Sequence, residues 1–135
     1  MLWKRVIPIA KLGADGERRA AWFYRLRGYA VLGRNVRIRG GEIDLIVRRG
    51  RALVFVEVKT RQSLTAGEGY DAVDRHKRAQ LVALADAWLA WHPHHGEVRY
   101  DVLSLFWNGR RFAVTHFRDA FRPLSDARRP WKWRL

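Results

Sequence analysis

The order of the sequence patterns predicts an α/β domain with a mixed central β-sheet flanked by α-helices. One helical pattern comes first, three strand patterns follow it, and a long helical pattern separates these from two more strands. Strands divided by a long helix favour a sheet that mixes parallel and antiparallel neighbours. The length of 135 residues suits one domain. We expect it over residues 1–121, followed by a basic, aromatic tail over residues 122–135.

The first part of the chain supplies a helix and a strand. The helix is expected in ADGERRAAWFYRLRGY, with Asp15 as its N-cap and Gly28 as its stop signal. The strand is expected in YAVLGRNVRIR, with an irregularity near Gly33. Gly40 and Gly41 then predict a turn into the second strand.

The last part of the chain supplies the long helix and two strands. Asp71 is the expected N-cap of this helix, Asp74 lies in its first turn, and Pro93 follows its end. Its apolar stripe consists of Val73, Leu81, Leu84, Trp88 and Trp91. The strands EVRYDVLSLFW and RFAVTHF are joined by a turn at Asn108 and Gly109.

The charge balance limits the function before any motif is considered. Lys and Arg number 27 against 13 Asp and Glu, which gives a net charge of +14. This excess favours a polyanionic partner, most simply nucleic acid, with an acidic membrane surface second. The chain has no cysteine, which excludes disulfides, thiol catalysis and cysteine-based zinc sites. We expect no signal peptide and no membrane span, and therefore a cytoplasmic protein.

The most informative stretch is GEIDLIVRRGRALVFVEVKTR, which places acids and a lysine among apolar residues. Successive side chains of a strand face opposite sides. Ile43, Leu45 and Val47 are therefore expected on one face of the second strand, and Asp44 and Ile46 on the other.

The register of the next strand decides which residues face Asp44. If Arg49 and Gly50 form a two-residue turn, Asp44 lies opposite Phe55 and one diagonal step from Glu57. A slightly longer loop would place Asp44 directly opposite Glu57. Either register leaves Asp44, Glu57 and Lys59 on one face, within side-chain reach, whereas a one-residue slip would separate them.

This arrangement predicts metal-assisted phosphodiester hydrolysis. Two neighbouring carboxylates repel each other, and a divalent cation removes that cost. Asp44 and Glu57 are therefore candidate ligands for Mg²⁺ or Mn²⁺, with waters and phosphate oxygens as further ligands. Lys59 can neutralise charge on a phosphate or orient an attacking water. The alternative is an ion-pair cluster on an exposed face, against which the apolar neighbours Ile46 and Phe55 argue.

Several segments also match a known family. They are GE at residues 16–17, GY at 28–29, RN at 34–35, GEIDLI at 41–46 and VFVEVKTR at 54–61. With scattered matches between residues 13 and 121, the chain resembles the YraN-like family of small bacterial proteins. That family is similar to the restriction-endonuclease-like PD-(D/E)xK nucleases, especially archaeal Holliday-junction resolvases. The resemblance implies a restriction-endonuclease-like fold and metal-dependent cleavage of DNA.

By that resemblance, Asp44, Glu57 and Lys59 take the acid, acid and lysine roles. Glu17 matches the helix glutamate that often completes the metal site in resolvase-like members. From its own context, Glu17 could equally be an exposed acid favoured near a helix start. The proline that usually precedes the first acid of the wider superfamily is Ile43 here.

Other charged residues are weaker candidates. Arg34, Arg61 and Lys77 are candidate contacts to a nucleic-acid backbone, although each also suits a solvated surface. Glu42 could be a ligand, but an acid at a strand edge more often pairs near the turn. Asp101 is expected to have a structural role.

The remaining motifs say less about the function. We expect Asp101 to pair with Arg99 or with a helix. The HPHH run at residues 92–95 does not match the usual spacing of zinc ligands. Trp131 and Trp133 in the basic tail suit either base stacking or a disordered cationic segment.

Three hypotheses about the function remain, each from a different class. The first is a metal-dependent endonuclease acting on DNA, possibly branched, single-stranded or otherwise structured, with a homodimer favoured if the substrate is a symmetric junction. The second is a non-catalytic nucleic-acid-binding module that keeps the fold. A third and weaker hypothesis is an adaptor that docks other proteins through exposed tryptophans. The sequence does not distinguish duplex, flap and junction substrates, which all present the same phosphate.

Overall fold

The fold is described from a computed structural model, which covers residues 7–62 and 75–123. Its elements are α1 (Ile9–Arg25), β1 (Ala30–Ile38), β2 (Gly41–Arg49), β3 (Ala52–Arg61), α2 (Arg75–Trp91), β4 (Glu97–Trp107) and β5 (Phe112–Phe121). The five strands form one sheet in the order β1-β2-β3-β4-β5. β3 and β4 are parallel, and the other neighbours are antiparallel. The predicted mixed α/β architecture is confirmed, and it is consistent with a restriction-endonuclease-like fold.

The helices cover opposite faces of the sheet because the strands alternate apolar residues between them. α1 packs on a cluster that includes Leu45, Val54 and Leu103. α2 packs on a second cluster that includes Phe55 and Tyr100. The central strands are thus covered on both sides, as parallel pairing requires. Within the described residues, neither helix is long and apolar enough to cross a membrane.

α1 begins earlier than predicted. Its N-cap is Pro8, and the carbonyl of Pro8 accepts a hydrogen bond from the Leu12 backbone N–H at 2.8 Å. Burial of Leu12 extends the helix upstream, so tertiary packing overrides the local capping signal. Asp15 is therefore not the N-cap; its carboxylate pairs with Lys11 and Arg18, each at 3.0 Å.

The turn and strand predictions mostly hold. Gly28 follows the end of α1 with a φ of 87°, as a helix stop requires. The irregularity of β1 appears as a register shift between Val31 and Gly33. Arg39 and Gly40, rather than Gly40 and Gly41, form the turn between β1 and β2. β5 extends to Phe121, beyond the predicted segment.

The described part of α2 matches its predicted stripe in part. Leu81 and Leu84 are buried and Trp88 packs against the same cluster, but Trp91 is 81% exposed. Trp91 is the last residue of the helix and belongs to neither core cluster of the described residues. The predicted cap Asp71, with Val73, Asp74 and the tail beyond residue 123, lies outside the described residues.

The register between β2 and β3 is the one that aligns Asp44 with Glu57, but it comes from a two-residue turn shifted by one position rather than from a longer loop. Arg49 pairs with Ala52 and Leu45 pairs with Val56, so the turn residues are Gly50 and Arg51. The register based on an Arg49 and Gly50 turn is therefore wrong. Gly50 has a φ of 61°, and a glycine at the first central position is typical of a tight hairpin turn.

Asp101, on β4, fastens α1 to the sheet. Its carboxylate accepts hydrogen bonds from Arg99 Nε at 2.8 Å, Tyr24 Oη at 2.8 Å and the Asp119 backbone N–H at 2.9 Å. His116 Nε2 lies 2.8 Å from the same carboxylate. Burial opposes ionisation, but the bonds from His116 and Arg99 hold the pKa of Asp101 well below its usual range. The predicted structural role and the Arg99 pairing are confirmed.

Replacing Asp101 by Asn should lower the free energy of unfolding by roughly 3–5 kcal/mol, because the buried Arg99 guanidinium loses its counter-charge. Urea denaturation at pH 7 measures this. Since the folded pKa is depressed, the contribution of Asp101 is present above the ordinary Asp value of about 3.9 and is lost as the pH falls below it. Asp15→Asn is the matched control and should change stability far less. Equal effects of the two variants would contradict the role assigned to Asp101.

Candidate active site

The central hairpin opens at one end. Backbone pairing between β2 and β3 stops at Leu45 and Val56, although both strands continue. One further step in the same register would set Asp44 against Glu57. At that step the Asp44 carboxylate instead accepts a hydrogen bond from the Val58 backbone N–H at 2.9 Å. A side chain thus replaces the backbone ladder where the strands separate.

β2 changes its facing pattern at the same point. Leu45 and Val47 pack on the α1 side of the sheet, whereas Ile46 packs on the α2 side. Ile43 also belongs to the α2 side, so its predicted grouping with Leu45 is wrong. Strict alternation fails because the strand is no longer paired with β3 beyond Leu45. Asp44 therefore lies at the switch between the two faces.

A cavity of about 160 Å³ occupies the opening. It is lined by Glu42, Asp44 and Glu57 from the strands and by Lys77, Gln80, Leu81 and Leu84 from α2. The apolar part of α2 thus forms one wall and the acids form the other. Sequence analysis missed Gln80 and the leucine wall, because only the packing of α2 brings them to the acids.

The two central acids resist ionisation. Burial, followed by the nearby Glu57 carboxylate, raises the pKa of Asp44 to about 7, although the bond from Val58 opposes the shift. Burial also raises the pKa of Glu57, against the opposing charges of Lys77 and Lys59. Ionising both acids at this partly buried place is therefore unfavourable unless a positive charge compensates them.

Lys59 lies beside these acids and beside a second lysine. Burial and the neighbouring Lys77 ammonium lower the pKa of Lys59, while Glu57 and Asp44 oppose the shift. The structure thus brings together four of the residues that the sequence singles out. They are Asp44, Glu57, Lys59 and Lys77.

Glu17 lies at the margin of this group. Its charge contributes to the raised pKa of Asp44, and its Oε1 accepts a hydrogen bond from Asn35 Nδ2 at 2.9 Å. Gly16 allows this approach, because a Cβ there would collide with the Thr60 side chain on β3. Within residues 7–62 and 75–123, however, no three His, Cys, Asp or Glu side chains form a group able to hold a metal ion.

Of the other candidates, Glu42 lines the cavity, whereas Arg34 and Arg61 are not among the residues that line it. Arg34 is exposed on β1. Arg61 packs over the Phe106 ring, with 5.6 Å between its Cζ and the ring centroid, and its NH1 donates to Ser104 Oγ at 3.4 Å. Glu42 lines the cavity and pairs with Arg37 at 3.9 Å, as expected of an acid at the turn.

The residues present fit a hydrated divalent cation. Asp44 and Glu57 offer carboxylate oxygens, and their mutual repulsion would be relieved by a positive ion. Mg²⁺ is usually held by one or two carboxylates, with waters completing its shell. A set of two acids with a third at the margin satisfies that requirement.

Replacing Asp44 by Asn should stabilise the metal-free protein by about 1–3 kcal/mol at pH 8, because the amide avoids burying a charge. The folded pKa of Asp44 is raised, so the stabilising contribution of its protonated form is present below about pH 4 and is lost as the pH rises through about 7. The gain should therefore shrink toward pH 4. Urea denaturation in EDTA at both pH values measures it, with Asp15→Asn as control. A loss of stability at pH 8 would favour the ion-pair alternative.

Comparisons with known proteins agree with the sequence motifs. The model of "Uncharacterised protein family UPF0102" matches residues 16–105. A UPF0102 protein of Parafrankia sp. (strain EAN1pec) is 45% identical over 113 residues, covering 82% of this chain and 96% of that protein. One from Beutenbergia cavernae is 50% identical over 95 residues, covering 70% and 80% respectively. One from Geobacter metallireducens is 40% identical over 111 residues, covering 82% and 91%. The chain therefore belongs to UPF0102, the YraN-like family.

Proposed function

We propose that this protein is a metal-dependent endonuclease that hydrolyses phosphodiester bonds in DNA, with branched or otherwise structured DNA as its favoured substrate. The observation that carries the proposal is the pair of acids, Asp44 and Glu57, in one cavity at the open end of the hairpin. Lys59 and Lys77 stand beside them. Two acids and a lysine on rigid strands suit the stabilisation of a reacting phosphate.

Asp44 and Glu57 would hold Mg²⁺ or Mn²⁺, and Glu17 would complete the acidic surroundings. When bound, such an ion neutralises charge on the phosphate and makes water a better nucleophile. The Val58 backbone N–H fixes the orientation of the Asp44 carboxylate. Leu81 and Leu84 form the apolar part of the cavity wall, opposite the acids.

Lys59 would act on the phosphate itself. In hydrolysis a water oxygen forms a bond to phosphorus, the bond to the leaving oxygen breaks, and that oxygen takes up a proton. Negative charge grows on the non-bridging oxygens of the phosphate during this step. A protonated Lys59 beside Glu57 is placed to stabilise that charge or to orient the water.

The positive surface supports DNA as the substrate. The net charge is +14, and phosphate contacts dominate affinity for nucleic acid. An open pocket of about 480 Å³ at the β1–β2 turn adjoins the acidic cavity, because Glu42 lines both. Arg37 and Arg39 line this pocket and offer contacts to phosphates next to the cleaved bond.

The second candidate is a nucleic-acid-binding module without catalysis. The small acid set favours it, since within the described ranges no three ligating side chains group together. On this hypothesis the cationic surface carries the function and the acids are a remnant. Metal affinity distinguishes the endonuclease from the binding module. If the acids bind Mg²⁺, Asp44→Asn should abolish that binding.

Lys59→Ala should reduce DNA cleavage by at least about 100-fold, because it removes a cation that lies beside the two acids and would stabilise charge on the phosphate. DNA binding should remain within a few-fold. Wild type and variant are tested on labelled duplex, single-stranded, flap and four-way-junction DNA, with Mg²⁺, Mn²⁺ or EDTA. Lys11→Ala is the matched control, since it removes the same charge from an exposed pair with Asp15. Equal loss of binding and cleavage would count against the catalytic role, and no cleavage by wild type would favour the binding module.

Affinity for Mg²⁺ should rise with pH through about 7, because binding requires the ionised form of Asp44, whose pKa is raised to about that value. Below this range we expect up to about a tenfold loss of affinity per pH unit. Isothermal titration calorimetry between pH 5.5 and 8.5 measures both the affinity and the protons released. An affinity that stays constant over this range would contradict the assignment of Asp44 as a ligand.

A further inference from the structure

We propose that Asn35 is a positioning residue, whose side-chain amide holds the Glu17 carboxylate beside Asp44 for use with the bound cation. This inference rests on the proposed metal-dependent function. It adds a residue to which the acid and lysine pattern assigns no role.

The contact joins two elements that are far apart in sequence. Asn35 Nδ2 on β1 donates to Glu17 Oε1 on α1 at 2.9 Å. Among the described residues, this is the hydrogen bond that the Glu17 carboxylate accepts, and its Oε2 accepts none from them. One carboxylate oxygen is thus held, and the other is left for a further hydrogen bond.

The strand register places Asn35 next to the metal site. Arg34 pairs with Leu45 and Val36 pairs with Ile43, so Asn35 lies opposite Asp44 on the neighbouring strand. The amide that holds the third acid therefore stands across from the first proposed ligand. This explains how Glu17, on a helix, comes close enough to raise the pKa of Asp44.

The backbone of Asn35 supports a specific role. Its φ is 51°, within a strand, where extended geometry is the rule. The left-handed conformation costs most residues about 1–2 kcal/mol, and Asn is among the few that tolerate it. Two other residues besides glycines share a positive φ among the described residues. Arg39 lies in a hairpin turn, where such geometry is usual, and Asp119 lies in β5 at the register shift between β4 and β5. Strained backbone inside an element is typical of functional sites.

A neutral donor suits this task better than a cation would. An amide orients the carboxylate and reduces the rotamer entropy lost when a ligand arrives. A lysine or arginine in its place would neutralise the charge that attracts a cation. Because Mg²⁺ keeps several of its waters, Glu17 can act through hydrogen bonds to that hydration shell. This agrees with its position at the margin of the two central acids.

The first test uses the native protein and its two asparagines. Substoichiometric Mn²⁺ should broaden the side-chain amide NMR signal of Asn35 before that of Asn108, because broadening falls steeply with distance from the ion. Asn108 is a natural control, since it lies in the β4–β5 turn and caps the N–H groups of Arg110 and Arg111. Equal broadening of both signals would overturn the proposal.

The second test removes only the amide. Asn35→Gly keeps the left-handed backbone at no steric cost and should weaken Mn²⁺ affinity about tenfold, as loss of a partner behind a metal ligand does. In a Glu17→Gln background the same change should have no further effect, because Asn35 acts through Glu17. Affinities are measured by calorimetry, and urea denaturation checks that each variant is folded.

The outcomes separate the two hypotheses. If wild type binds Mn²⁺ and Asn35→Gly binds it equally well, the positioning role is wrong while the metal site stands. A further loss in the Glu17→Gln background would also overturn the role, since Asn35 would then act independently. If wild type binds no Mn²⁺, the proposed metal-dependent function and this inference both fail.

Discussion

The site depends on the point where β2 and β3 stop pairing. Past Leu45 and Val56 the backbone ladder is replaced by one bond from the Val58 N–H to the Asp44 carboxylate. A continuous ladder would leave no room between the strands. The opening provides a cavity, and the bond that spans it also fixes the orientation of the acid. The same local geometry thus satisfies a buried backbone donor and aims a functional side chain.

Asp101, which is fully buried, and Asp44, which is partly buried, show how surroundings decide the state of one side-chain type. Asp101 is enclosed by donors, among them Arg99 and Tyr24, and its pKa is depressed despite complete burial. Asp44 receives one backbone bond and faces Glu57, so its pKa is raised. The first arrangement stabilises the folded chain. The arrangement around Asp44 lacks a compensating positive charge, and such perturbed acids are typical of ligand-binding and catalytic sites.

The mixed sheet and the three central site residues were predictable from the sequence, because side chains of a strand alternate between its two faces. Alternation alone places Asp44, Glu57 and Lys59 close together, and the helix, strand and turn signals give the mixed sheet. The predicted N-cap at Asp15 failed because burial of Leu12 extends the helix, which no local pattern reports.

The details that failed depend on long-range geometry. Ile43 lies on the α2 side of the sheet and not with Leu45 on the α1 side, because β2 stops pairing with β3 at Leu45. The alternation of apolar and polar residues does not reveal where the pairing of two strands ends. In the sequence, Asn35 is noted only as part of the RN pair that matches the family, and no role is predicted for it. Its partner Glu17 lies 18 positions earlier and becomes visible when α1 packs on the sheet. An asparagine just after an irregular glycine in a strand is the one local hint of left-handed backbone.

α1 connects the surroundings of Asp101 with those of Asp44. Tyr24 is tied to Asp101, and Glu17 stands two turns earlier, about 10 Å along the same helix. One part of α1 is therefore fixed to the sheet through Asp101, and another part of the same helix carries Glu17, an acid of the candidate site. Any change that tilts α1 at its anchored end displaces Glu17 at the other. A substitution that disturbs the Asp101 network is therefore expected to affect both the stability of the fold and the position of Glu17.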